Sequence, residues 1–162
     1  MRDSMKRSRG RKAKGPRRLT VYVFRVSFRR RMGLYRTISI GANQTLEDLH
    51  YAIQAAFDWD ADHLYSFFLS CKRWDRDTEY ALMDDDFRAD YDLPLSRDTR
   101  KAKIRGLQLE VGSRMLYLFD YGDNHEFIVE LVSKGKQAVN NELPAIIDRR
   151  GRSPEQYPEV PE

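Results

Sequence analysis

Three histidines and a scatter of carboxylates are the side chains in this 162-residue sequence with the chemistry to bind a metal or move a proton. His50 and His63 fall in the first half, and His125 lies where Asp120, Asp123 and Glu126 crowd around it. Two histidines and a carboxylate hold zinc or iron when folding brings them together. That reading requires the three imidazoles to approach within about 10 Å of one another, since coordination distances are far shorter. The intervals between them match no helical ligand motif, and HExxH, a nucleophile elbow and a Gly-rich phosphate loop are all missing. A metal-dependent hydrolase is therefore the third-ranked reading, with no catalytic residue, metal or other cofactor assigned. Asp58-Trp59-Asp60-Ala61-Asp62-His63 begins like a calcium loop, but its sixth position is His63 rather than Gly and its twelfth is Leu69 rather than Glu. Asp84-Asp85-Asp86 reads as a solvated loop. The single Cys71 excludes an intramolecular disulfide and a cysteine-cluster site.

The elements that must position these residues follow from periodicity. Tyr117–Leu131 reads as two strands rich in aromatic and β-branched residues, joined by Gly122-Asp123-Asn124, where positive φ is easily adopted. Alternation puts Tyr117, Phe119 and Tyr121 on one face of the first arm. On the second arm His125, Phe127, Val129 and Leu131 oppose Glu126, Ile128 and Glu130. Leu19–Phe28 alternates as a first strand with Tyr22, Phe24, Val26 and Phe28 inward, and Tyr35–Ile40 pairs with it as a hairpin. Arg36 lies on the inward side by parity, where a salt-bridge partner is expected. Thr45 with Asp48 forms a capping box that opens a helix. Its apolar stripe, Leu46, Leu49, Ile53, Ala56 and Phe57, must cover the sheet, and His50 lies beside it. Leu64–Leu69 is a third strand, with Trp59 tucked under the loop before it. Glu79–Leu82 is read as a short strand, Ala102–Leu109 as a helical or 3₁₀ turn and Leu143–Asp148 as an edge strand. Ser133–Lys136 is read as the end of the hairpin, and Ser153–Pro158 as extended. The expected fold is α+β: a compact single domain with a mixed or antiparallel sheet covered by one principal helix.

Charge divides the chain. The formal net charge of +4 combines nine Lys or Arg and one Asp in residues 1–18 with a net −4 over residues 19–162. Residues 1–18 therefore read as a disordered basic arm and 19–162 as the folded domain. The sequence pI near 9.2 belongs to the arm, so a dedicated cationic nucleic-acid reader is not what the body's net charge describes. No apolar run is long enough to span a membrane and no signal-peptide core is present, so no membrane contact and cytoplasmic residence are expected.

Three stretches together carry a likeness: Thr45–Phe57 with Trp59 and His63-Leu64, then Leu116–Asp123, then Pro154-Glu155-Gln156-Tyr157-Pro158. The chain resembles the plasmid pRiA4b ORF-3-like family over roughly residues 19–158. Arg36, His50, Trp59, His63, Asp120, Gly122, Asp123 and Glu126 match its pattern. Two positions depart from it, because the family's hairpin usually carries Trp and His where this chain has His125 and Phe127. The resemblance implies an α+β fold and a plasmid or mobile-element association, and it supplies no activity.

The first-ranked function is a non-catalytic interaction module that presents its hairpin turn to an unidentified protein partner. Its expected surface is Trp59, His63, Asp120, Tyr121, Asp123, His125, Glu126 and Phe127. The opposing account of the acids is local: Asp120 and Asp123 cap the turn through backbone amides. The alternative is a nucleic-acid-associated accessory protein gripping phosphates non-specifically. Its contacts would be Arg9, Arg11, Lys12, Lys14, Arg17 and Arg18 of the arm, and Arg29, Arg30 and Arg31 of the first hairpin.

Overall fold

A computed structural model describes residues 15–82, 90, 94 and 97–158. Seven strands form one sheet in the order β4-β3-β5-β6-β1-β2-β7. They are β1 (Arg17–Phe28), β2 (Arg31–Gly41), β3 (Tyr65–Phe68), β4 (Glu79–Ala81), β5 (Arg114–Phe119), β6 (His125–Val139) and β7 (Ala145–Arg150). Every pairing between them is antiparallel. The helix α1 (Leu46–Ala56) lies on one face.

The expectation of an α+β fold covered by a principal helix is overturned, because the protein is predominantly an antiparallel sheet. Length gives the reason. Eleven residues of α-helix span about 16 Å, whereas seven strands spread over roughly 29 Å. The helix covers only part of that width. Trp59, Leu107, Leu109 and the 3₁₀ turn at Ile104–Leu107 complete the cover, packing into the same core as Phe24, Ile38, Ile53, Tyr117 and Phe127. On the back of the sheet Phe68, Leu116 and Leu118 bury a smaller cluster against Ile128 and Tyr121.

The local signals explain most boundaries. Thr45 Oγ1 accepts from the Asp48 amide at 3.2 Å, and Asp48 Oδ2 accepts from the Thr45 amide at 2.8 Å, closing the capping box. β6 runs on to Val139, so Ser133–Lys136 is strand rather than the end of the hairpin. A bulge opposite Val23/Phe24 resets the register, and the continuation then pairs with the first half of β1. At the β5–β6 turn the positive φ angles belong to Asp120 (64°) and Asn124 (53°), not to the central Gly122-Asp123.

Arg36 is buried, and the partners that hold it are oxygens of the helix C-terminus, of β2, of the end of β7 and of Ser153 beyond it, not the carboxylate expected. Nε donates to Ala56 O at 3.0 Å, Nη1 to Tyr35 O at 2.9 Å and Arg150 O at 3.1 Å, and Nη2 to Ser153 Oγ at 2.8 Å. Arg149 donates to the same Ala56 carbonyl at 3.2 Å, so two cations meet the negative end of the helix dipole. Past β7, Gly151 adopts φ 84°, where an added Cβ would sit 2.5 Å from Leu34 Cδ1. That turn sends the C-terminal segment back across the sheet toward Trp59.

Candidate functional site

The C-terminal segment is strapped to the loop after α1. Trp59 Nε1 donates to Pro154 O at 2.8 Å. The Gln156 side chain copies a strand pairing, accepting from the Asp60 amide at 2.7 Å and donating to Asp60 O at 2.9 Å. Tyr157 then donates its phenol proton to Asp62, whose two carboxylate oxygens both lie 2.9 Å away. With that proton spent, His63 Nε2, 2.9 Å from the same oxygen, is left to donate to it. Desolvation first, and then the Asp62 carboxylate, push the Tyr157 phenol up to about 12. His63 also lies 3.5 Å from Asp120 Oδ2 and 3.7 Å from Asp62 Oδ1.

Across from this strap stands the β5–β6 turn. Asp120 Oδ1 accepts from the amides of Gly122 (2.9 Å) and Asp123 (3.2 Å), so the local capping account holds for Asp120. His125 packs against the Trp59 edge at 4.7 Å between centroids. Its Nε2 is shielded from solvent without a hydrogen-bond partner among the described residues. Burial lowers the His125 pKa against the opposing pull of Asp123 and Asp120. Asp120, Asp123 and His125 each offer one ligand atom within 4.8 Å of the others, a spacing a divalent cation can bridge. The three histidines do not form such a group among the described residues. His50 faces the core, stacked on Tyr65 at 3.6 Å between centroids, with Nδ1 2.6 Å from the Tyr117 hydroxyl.

The fold divides the expected binding surface into three. His63, Asp120, Asp123 and His125 share one pole of the molecule with Asp60, Asp62, Gln156 and Tyr157. Trp59 and Phe127 are core residues at 7% and 0% exposure, because their strand and loop face α1 rather than solvent. Tyr121 and Glu126 belong to the back of the sheet. Tyr121 meets Ser66 Oγ at 2.7 Å and Tyr65 O at 3.0 Å. Glu126 pairs with Arg29 at 2.5 Å and Arg73 at 3.2 Å, and period-2 alternation puts it on the sheet face opposite His125, although both border one small depression with Asp123. The strap residues went unassigned to any site, although Gln156 and Tyr157 stood out in the Gln-Tyr-Pro motif.

The basic residues separate as well. Arg17 and Arg18 begin β1 while Arg29 and Arg30 follow its end, so about 36 Å of strand lies between them. The arm and the first turn therefore do not make one continuous basic surface. Arg9, Arg11, Lys12 and Lys14, and also Asp84-Asp85-Asp86, lie outside the described residues. Among the described residues no helix is long and apolar enough to cross a membrane.

Comparison with known proteins places this architecture. The fold is similar to the crystal structure of a protein of unknown function, MM3350, from Methanosarcina mazei Go1. The TM-score is 0.68 at 24% identity, covering 85% of this chain and 73% of the other. An uncharacterised protein, y4hQ, from Sinorhizobium fredii (strain NBRC 101917 / NGR234) is 29% identical over 110 residues, 67% of this chain. Those residues make up 50% of that relative, so the chain matches about half its length. The sequence profile of the plasmid pRiA4b ORF-3-like proteins matches residues 20–159, which takes in β1 from its fourth residue on, the other six strands, the helix and the C-terminal strap. The chain belongs to the plasmid pRiA4b ORF-3-like family.

Proposed function

We propose that the protein is a non-catalytic interaction module whose recognition face is the acidic pole, and that it docks a basic segment of a protein partner. The observation that supports this reading is the composition of the exposed surface there. Tyr157 (50% exposed) and Leu64 (41% exposed) stand among the exposed Asp60, Asp62 and Asp123 with His63 between them, and the buried Asp120 lies beneath. An aromatic ring with a polar tip, an aliphatic neighbour and a rim of carboxylates suit a Lys- or Arg-bearing peptide, whose stems pack on the apolar atoms while the charges meet the rim. The strap holds the Asp62 carboxylate in place before binding, which lowers the ordering cost of association.

The test uses a synthetic peptide of the chain's own residues 1–18, which carry nine Lys or Arg, as a generic basic probe titrated calorimetrically at low salt. The full chain should bind it, and Asp62→Asn with Asp123→Asn should weaken binding by roughly tenfold or more, about 1.4 kcal/mol. Equal affinity in the wild type and the variant would refute the assignment of this face.

A further inference from the structure

The other end of the molecule has the opposite charge, and its placement does not depend on the protein-partner reading. An open cleft of about 730 Å³ lies between the start of β1, the loop after β2 and the chain leading into β7. Arg17 and Arg105 stand on its walls. A second depression of about 350 Å³ adjoins it across Arg105 and carries Lys101 and Lys103. All four cations are exposed, and among the described residues none of them forms an ion pair and Glu142 is the one carboxylate lining either depression. Residues 19–162, at net charge −4, thus place Lys101, Lys103 and Arg105 beside Arg17, where the basic N-terminal sequence joins the fold.

The cleft is built rather than incidental. Arg105 N donates to Ala42 O at 3.0 Å and Ile104 N to Gln44 O at 2.9 Å, pinning the 3₁₀ turn to the loop after β2. Gln44 ties that loop to the opposite wall, donating from Nε2 to Leu143 O at 2.7 Å while its Oε1 accepts from the Gly41 amide at 2.9 Å. The walls also carry Asn43, Asn140 and Asn141, all exposed, whose side chains offer both donors and acceptors. A row of cations spanning two linked depressions suits a run of phosphates better than one anion. Amides beside such a row can pair with the edges of unpaired bases.

The geometry points to a binding site for single-stranded nucleic acid along Arg17, Arg105, Lys103 and Lys101. Phosphates lie on the cations and bases turn toward the asparagines. Affinity is salt-dependent and weakly selective for sequence, because the phosphate contacts position the strand without reading it.

The experiment compares the full chain with a full-length Arg17→Gln/Lys101→Gln/Lys103→Gln/Arg105→Gln variant by fluorescence anisotropy, using labelled oligo(dT), oligo(U) and a duplex across a salt series. If the four cations each neutralise one phosphate, the logarithmic salt slope on single strands flattens by about 3 in the variant. The affinity advantage of the wild type then shrinks roughly 50-fold between about 50 and 200 mM salt. The exposed-lysine pair Lys101→Gln/Lys103→Gln, which leaves the pinned 3₁₀ turn intact, should give about half that flattening. Arg30→Gln/Arg31→Gln at the far end should give none. Identical slopes for wild type and variant, or no oligonucleotide binding by the wild type, overturn the proposal. Loss confined to the duplex overturns the assignment to single strands.

Discussion

Acidification should destabilise this protein through one buried imidazole. His50 is 2% exposed, sandwiched on Tyr65 and bonded to Tyr117, and burial lowers its pKa from 6.5 to about 3. The unfolded chain binds a proton at this residue more readily than the folded chain does. The contribution is therefore complete above pH 6.5 and is lost progressively as the pH falls from there toward 3. At pH 5 the loss from this residue is about 2 kcal/mol, taking 1.36 kcal/mol per unit over one and a half units. Other groups titrate in the same range, so the assay is a difference: urea unfolding of the wild type and His50→Gln at pH 8 and pH 5. Glutamine can keep a hydrogen bond to the Tyr117 hydroxyl but cannot take the proton. The stability gap between the two proteins should narrow or invert by about 2 kcal/mol on going to pH 5. A gap that stays constant, or a His50 NMR titration centred near 6.5 in the folded protein, would refute the reasoning.

Substitutions at three further positions probe the parts that place the acidic pole. Trp59→Ala removes a ring packed on Phe57, Phe119, His125 and Phe127 together with the bond to Pro154, and should cost about 3–5 kcal/mol in urea unfolding. Trp59→Phe should cost far less while still raising amide exchange in residues 155–157. Arg36→Met leaves the carbonyls of Ala56, Tyr35 and Arg150 short of a donor, and a loss of about 2–5 kcal/mol is expected in thermal or urea melts. Thr45→Ala opens the capping box and should cost about 1 kcal/mol by the same measurement.

What the sequence could reveal depended on whether a feature was local. Alternation in residues 19–28, the Thr45/Asp48 box and the spacing of Leu46, Leu49 and Ile53 are read within one or two turns of chain, and each element formed where expected. The balance between helix and sheet was misjudged because it depends on how many strands share one sheet. The pairing of β6 beyond Ser133 and the docking of β7 on β2 are long-range choices that no window reveals. Trp59 and Phe127 were misplaced for a related reason: aromatic residues near a charged turn suit either a surface or a core, and only the position of α1 decides. The acidic pole was half legible, since Asp120, Asp123 and His125 adjoin in sequence. Asp62 and Tyr157 are 95 residues apart and join it only through the strap. The basic cleft was hidden by the negative net charge of the body, which sums over two ends that the fold keeps apart.

The most direct test of the central claim is amide chemical-shift mapping of the isotope-labelled full chain titrated with the basic 1–18 peptide. The account predicts shifts concentrated in Asp60–Leu64, Asp120–His125 and Glu155–Tyr157, with the loop after β2 and Lys101–Arg105 unmoved. Shifts centred on Asn43 and Lys101–Arg105, or none at saturating peptide, would contradict the claim that the acidic pole is the protein-binding face.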